Sequence, residues 1–139
     1  YYIDLKVDTE PPGGILWMPL RLIDILRDLT ANARKYTSPG GKVALAIYQD
    51  EERIQAVVED SGCGIPDAEI EKVAEFGYRA TNVRSRPTLG GGFGLTKAAW
   101  LVTTWGGSLT IQSKINVGTT IRLSIPNARR PEDPLTWSI

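Results

Sequence analysis

The sequence predicts an α+β domain built on a mixed, mostly antiparallel sheet with helices on one face. Two observations carry this expectation. Short apolar runs with a period of two occur singly near the start and then in two pairs, whereas two longer stretches carry the 3.6-residue period of amphipathic helices. These elements follow one another without the regular strand-helix-strand alternation that builds a parallel sheet. A length of 139 residues with 42% hydrophobic and 23% charged side chains fits one domain with a substantial core. That domain is expected over residues 1–126, followed by an irregular tail at 127–139 that contains Pro131 and Pro134.

Each element has its own signal. In residues 2–7, Ile3, Leu5 and Val7 alternate with Asp4 and Lys6 as in a half-buried strand, and the Pro- and Gly-rich stretch 9–14 should break it. Pro19 suits the first turn of a helix running to about Tyr36, which Ser38-Pro39-Gly40-Gly41 stops. Along it, at about 100° per residue, Leu22, Ile25, Leu26, Leu29, Ala33 and Tyr36 share one arc, beside a polar stripe of Asp24, Asp28, Asn32 and Lys35. Residues 42–49 and 53–59, split by Asp50-Glu51-Glu52, read as a hairpin whose second strand delivers Asp60. A short helix carrying Ala68, Ile70, Val73, Ala74 and Phe76 should follow Pro66 and end near Gly77. Residues 78–88 hold Arg79, Arg84 and Arg86 without an apolar period and read as a mobile loop. Residues 94–105 read as a helix with Leu95, Ala98, Ala99, Leu101 and Val102 inward, closed by Gly106-Gly107. Residues 108–113 and 119–125 form a second hairpin around Asn116-Val117-Gly118.

Composition narrows the chemistry. Sixteen Lys and Arg residues balance sixteen Asp and Glu residues, so no net charge draws the chain to nucleic acid or to an anionic membrane. No apolar run approaches a membrane span and no charged-then-apolar leader opens the chain, so no membrane contact by this stretch is expected. The start at Tyr1 without methionine suggests a piece of something longer. A lone cysteine, Cys63, forms no internal disulfide or zinc set and suits a reducing, cytoplasmic setting, even for a full-length protein anchored in a membrane. The chain contains no histidine, which removes histidine-based general catalysis, histidine metal ligands and any phosphoacceptor histidine within it.

Three stretches carry candidate chemistry. Asp60-Ser61-Gly62-Cys63-Gly64-Ile65-Pro66 places a carboxylate at a strand end beside glycines that supply positive φ or room for a ligand to approach the backbone. Held there, the carboxylate can accept a directional hydrogen bond from an exocyclic amine such as that of adenine; an ordinary Asp-Gly turn is the alternative. Asp28 and Asn32, at i and i+4, can point at one ligand, although such a stripe also serves as plain solvated surface. Asn32 offers the hard oxygen that Mg²⁺ accepts, an ion that needs only one or two protein oxygens besides phosphates and water. Leu89-Gly90-Gly91-Gly92-Phe93-Gly94-Leu95 opens a helix whose unpaired N–H groups and dipole favour an anion such as phosphate, with a flexible connection as the alternative. No Lys-Ser or Lys-Thr pair follows its glycines, so it is no Walker A loop, and no βαβ strand precedes it, so it is no dinucleotide fingerprint. Cys63, with no histidine to activate it, reads as a small packing residue.

In this order the stretches resemble the ATP-binding domain of the GHKL superfamily (gyrase, heat-shock chaperone, histidine kinase and mismatch-repair ATPases), and most of all that of sensor histidine kinases. Residues 26–37, with Asn32-Ala33 and Lys35-Tyr36-Thr37, look like the kinase N box, and Asp60, Gly62, Gly64, Ile65 and Pro66 like the first glycine box. Glu75-Phe76-Gly77-Tyr78-Arg79 sits where the phenylalanine box lies. Gly90, Gly92, Phe93, Gly94 and Leu95 are similar to the second glycine box, and Gly118-Thr119-Thr120 to the closing threonine turn. The resemblance covers roughly residues 20–126.

It implies a two-layer α/β sandwich of the Bergerat type that binds ATP with Mg²⁺. By the resemblance, Asn32 would hold Mg²⁺, Lys35 would reach the phosphates, and Tyr36 would pack on the adenine unless it is simply a core aromatic. Asp60 would take the adenine amine, with Thr119 nearby through water. Residues 81–89 would form a lid over the phosphates, and Arg79 or Arg84 would be a possible phosphate contact. The implied reaction is transfer of the γ-phosphoryl group to a histidine on a separate dimerisation domain of the same full-length protein, with a response regulator as the signalling partner. Asp28 and Asn32 are then the candidate catalytic residues. Asp28 stands where many kinases carry Asn and where hydrolysing relatives carry an acidic general base. A stand-alone ATPase or serine kinase of the superfamily is therefore one alternative, and a non-catalytic nucleotide-sensing module another.

Overall fold

The computed structural model describes residues 4–10, 18–67, 70 and 93–127. Their elements are β1 (Asp4–Glu10), α1 (Leu20–Lys35), β2 (Lys42–Gln49), β3 (Arg53–Asp60), α2 (Phe93–Thr104), β4 (Ser108–Lys114) and β5 (Gly118–Pro126). The five strands form one sheet in the order β1-β2-β3-β5-β4. β1 runs parallel to β2 and every other pairing is antiparallel. The mixed, mostly antiparallel α+β architecture expected from the sequence is the one observed.

The register arranges the inner face in rows across the sheet. One row is Leu45, Val58, Ile121 and Ile111; the next is Ile47, Ala56, Leu123 and Leu109. A strand's side chains alternate between faces, so these rows stack on one side, while Lys42, Tyr48, Gln55, Glu59, Thr110, Gln112 and Arg122 are exposed. Both helices pack on the apolar side, α1 over β2 and β3 and α2 over β4 and β5. Leu22, Ile25, Leu26, Leu29 and Ala33 of α1 and Ala98, Leu101 and Val102 of α2 are buried against Val43, Ile54, Val58 and Ile125. Apart from Tyr36, the apolar arc expected on the first helix is thus buried, and each buried Leu, Ile or Val contributes about 1.5–3 kcal/mol.

Two local devices fix the element ends. Asp50 Oδ1 accepts the N–H groups of Glu52 and Arg53, both at 2.8 Å, which closes the β2-β3 turn and holds the Asp50 carboxyl below its ordinary pKa. At the end of α1, Thr37 Oγ1 donates to the Ala33 carbonyl at 2.7 Å, and Arg34 and Lys35 sit at the negative end of the helix dipole.

β1, described over Asp4–Glu10, continues past the end expected at Val7. Thr9 and Glu10 continue the ladder opposite Ile47 and Tyr48. A residue before proline is driven toward extended geometry, which suits Glu10 to the strand. The helix expected after Pro66, apart from Asp67 and Ile70, the loop at 78–88 and all of the tail except Asn127 lie outside the described residues.

Leu29 and Leu20 share α1 but are 1% and 79% exposed. Leu29→Ala should cost about 2–5 kcal/mol and Leu20→Ala less than about 0.5 kcal/mol. Urea unfolding of the two variants measures both.

Candidate nucleotide site

Asp60 lies on the inner face at the end of β3, in the outermost row of the sheet: Val43, Asp60, Thr119 and Ser113, on β2, β3, β5 and β4. The rows beneath are apolar, so the carboxylate is only partly hydrated. Burial pushes its pKa above the ordinary 3.8, the Gly62 and Thr119 N–H groups oppose that rise by hydrogen bonding to the charged form, and the neighbouring Glu59 charge adds to it. The Gly62 N–H reaches Oδ1 at 2.8 Å.

The turn after Asp60 is wedged between two other backbones. Cys63 N–H donates to the Tyr36 carbonyl at 3.2 Å, which seats the turn on the end of α1. A Cβ on Gly62 would stand 2.6 Å from that carbonyl oxygen, so only glycine permits the approach. On the other side Asn116 N–H donates to the Cys63 carbonyl at 2.9 Å, and Gly64, at φ +72°, backs onto the Lys114 carbonyl, where a Cβ would collide. Both glycines of the first glycine box therefore have a packing reason for being glycine.

Beside this turn Tyr36, Cys63, Ile65, Leu95 and Ile111 form a half-buried apolar cluster. Tyr36 is therefore not part of the main core that its spacing on α1 also allowed, and Cys63 is a free thiol serving as packing. Leu95, in the first turn of α2, touches the main core as well. Asp28 and Asn32 are partly exposed on α1, and Lys35 is exposed with its Nζ 6.0 Å from the Tyr36 ring centre. Phe93 and Gly94 open α2, while Arg79, Gly90 and Gly92 lie outside the described residues. A hollow of about 520 Å³ is lined by Asp60, Ser113 and Thr119 as well as by Ala44, Glu59 and Gln112.

Two side chains join this constellation without standing out in the sequence. Lys97 of α2 approaches Asp28 Oδ2 at 3.5 Å, the pair being 46% and 37% exposed. At that exposure it ties the two helices with little energy of its own. Ser113 Oγ lies 2.8 Å from the Ile65 nitrogen, 3.0 Å from the Gly118 carbonyl oxygen and 2.7 Å from Thr119 Oγ1. A signal for Ser113 does exist: Leu109, Ile111 and Ser113 alternate onto one face, and the Asn116 turn sets their register against Thr119. Lys97 has no such local signal, because its partner depends on how two helices meet.

The arrangement combines a partly desolvated carboxylate acceptor, an adjoining apolar wall and a helix carrying an amide and a carboxylate one turn apart. The family model for histidine kinase-, DNA gyrase B- and HSP90-like ATPases matches residues 18–129. The sensor histidine kinase WalK of Bacillus subtilis is 35% identical over 115 residues, which are 81% of this chain and 19% of WalK. The sensor histidine kinase RppB of Synechocystis is 32% identical over 126 residues, 90% of this chain and 28% of RppB. The chain therefore spans less than a third of either relative. Among solved structures, the mycobacterial sensor histidine kinase MprB matches with a TM-score of 0.74 and 28% identity, over 90% of this chain and 84% of that one. With most of its length matched by the family model and its fold shared with MprB, the chain belongs to the family of histidine kinase-, DNA gyrase B- and HSP90-like ATPases.

Proposed function

We propose that this domain binds Mg-ATP and transfers the γ-phosphoryl group to a histidine on a separate dimerisation domain of its full-length protein, in signalling to a response regulator. The observation that carries the reading is the Asp60 carboxylate, half-buried next to the Tyr36–Ile65 cluster and polarised by two backbone N–H groups. An apolar wall with a directional acceptor at its edge suits a purine bearing an exocyclic amine. The similarity to WalK, RppB and MprB, all named as sensor histidine kinases, supports the kinase assignment.

Asp60 accepts the adenine amine, Thr119 assists through water, and Tyr36 and Ile65 pack against the ring. Gly62 and Gly64 keep the turn close enough for that contact. Lys35 and Arg79 contribute positive charge to the phosphates, and the amides of Gly90, Gly92, Phe93, Gly94 and Leu95 contribute donors at a helix N-terminus. Among the described residues no three His, Cys, Asp or Glu side chains converge into a protein cage for a metal. The oxygens of Asn32 and Asp28 on one stripe suit an ion that completes its shell with phosphate and water, so Asn32 would hold Mg²⁺. When bound, Mg²⁺ supplies neutralisation of the phosphate charge. The chain's own part is positioning: it orients the nucleotide, while the nucleophile arrives as a histidine that this chain lacks. No helix among the described residues is long and apolar enough to cross a membrane, and a cytoplasmic site of action fits the ATP requirement.

The acidic side chain at Asp28 favours a second reading, a hydrolase in which this carboxylate activates water. Asp28→Asn separates the two. For a kinase the amide oxygen remains in place, and phosphotransfer to a supplied histidine domain should stay within about tenfold of the parent. For a hydrolase the base is lost, and ATP turnover should fall by about a hundredfold or more. Phosphate release and transfer measured on the same variant decide between them.

Asn32→Ala should remove most of the Mg²⁺ dependence of ATP binding and leave metal-free ADP binding within about threefold, because its partner is the ion and not the base. An equal fall in both affinities would reassign the residue.

Asp60→Asn should weaken ADP by roughly tenfold to a hundredfold, the worth of one charge-assisted hydrogen bond. The pH dependence has a definite sign. Asp60 has a raised folded pKa, so its contribution to the stability of the empty domain is fully present below pH 3.8 and is lost as pH rises through the folded value. ADP affinity moves the opposite way, rising as the carboxylate ionises to accept the amine. Calorimetric titrations from about pH 4 upward should show that rise in the parent and its loss in Asp60→Asn.

A further inference from the structure

The row that begins with Asp60 ends at Ser113, and its hydroxyl has a countable number of partners. A serine hydroxyl has one proton to donate and two lone pairs to accept with. The Ile65 nitrogen at 2.8 Å can only donate to it, and the Gly118 carbonyl oxygen at 3.0 Å can only accept from it. Its one proton is thereby committed to Gly118. The short 2.7 Å contact with Thr119 Oγ1 must then be donated by Thr119. This assignment satisfies all three partners with the protons available, whereas turning the Ser113 proton to Thr119 takes it from the Gly118 carbonyl.

The consequence falls on Thr119. With its only hydroxyl proton directed to Ser113, Thr119 Oγ1 can only accept from any further partner. Asp60, ionised, is also acceptor-only, and the two are cross-strand neighbours on the inner face. Asp60 accepts one N–H of an amino group, and a water between Thr119 and the purine, donating its two protons to Thr119 and Asp60, turns a lone pair to the base; both oppose a carbonyl oxygen in the same place. The same serine also holds the Ile65 amide, which fixes the far end of the glycine turn against the β4-β5 hairpin.

We propose that Ser113 is a specificity-determining positioning residue: by taking the Thr119 proton and pinning Ile65, it makes the site select 6-aminopurine nucleotides over 6-oxopurine nucleotides. The proposal rests on the nucleotide-binding reading above and assigns to Ser113 no contact with the nucleotide. Its effect passes through Thr119 and the 60–65 turn.

The test is the ratio of ADP to inosine diphosphate affinity, measured by calorimetry on this chain. Ser113→Ala frees the Thr119 proton to face a 6-oxo group and should reduce the ratio by roughly three- to tenfold, the range of one hydrogen bond. Ser113→Thr, which keeps the hydroxyl, should restore it to within about twofold. Thr119→Val leaves the Ser113 bonds to Ile65 and Gly118 in place and deletes the oriented hydroxyl. It should lower the ratio to a similar extent, and it serves as the test if Ser113→Ala does not fold. In the Thr119→Val background, Ser113→Ala should leave the ratio where it was. If both affinities fall together in Ser113→Ala, or if the ratio is unmoved in Thr119→Val, the inference is overturned while nucleotide binding stands. If the parent binds neither nucleotide, the nucleotide reading itself fails and takes the inference with it.

Discussion

A carboxylate held half out of water at Asp60 is the constraint around which this domain is arranged. Removing a charged group from water is costly unless hydrogen bonds replace the lost hydration, and here backbone N–H groups of Gly62 and Thr119 do so. Each of those donors depends on something further away. The Gly62 amide is placed by a turn that fits only because no Cβ meets the Tyr36 carbonyl. The Thr119 amide is placed by the β3-β5 register, which the apolar rows beneath it hold in step, since a one-residue slip would turn every inner side chain outward. The core thus supports the site by fixing register, in addition to supplying stability.

The same constraint explains why α1 does two jobs. Its apolar arc, Leu22 to Ala33, anchors it on β2 and β3, and its last carbonyls receive the glycine turn. The Asp28–Asn32 stripe is then carried at a fixed position relative to Asp60 by one rigid helix. Lys97 links that stripe to α2, which begins at Phe93 where the glycine-rich stretch ends. A half-exposed pair of this kind has little energetic weight, so the helix-helix alignment must come from the buried Ala98, Leu101 and Val102.

How much of this was legible in the sequence follows from how local each signal is. The α1 arc, the two hairpins and the α2 period are short-range patterns, and their elements lie within a few residues of expectation. The end of β1 was misplaced because a Pro- and Gly-rich stretch was taken as one breaker, when its first two residues, Thr9 and Glu10, still have strand partners in Ile47 and Tyr48. Asp60 could be found because strand end, carboxylate and glycines are contiguous. Lys97 could not be found in the same way, since its partner comes from a helix contact, and Ser113 had a local signal only for its hairpin partners, not for Ile65. Tyr36 illustrates the intermediate case: helical spacing put it on the apolar arc, but the turn from 60 to 65 draws it into a separate cluster.

The absence of histidine then acquires a structural sense under the proposed phosphotransfer. A domain that supplies only orientation and charge compensation needs an acceptor group on the base, an oxygen for the metal and donors for the phosphates, and none of these must titrate near neutral pH. Burial raises the Asp60 pKa from its ordinary 3.8 while hydrogen bonds from the Gly62 and Thr119 N–H groups oppose that rise, so the carboxylate is tuned by its neighbours. In the proposed reading, an acceptor-only pair of Asp60 and Thr119 would recognise an amine without taking part in proton transfer. Under that proposal, catalytic proton traffic is left to the incoming histidine and to Asp28 on the polar stripe. Whether that carboxylate orients or deprotonates is therefore the point on which kinase and hydrolase diverge, and it can vary without disturbing the recognition row.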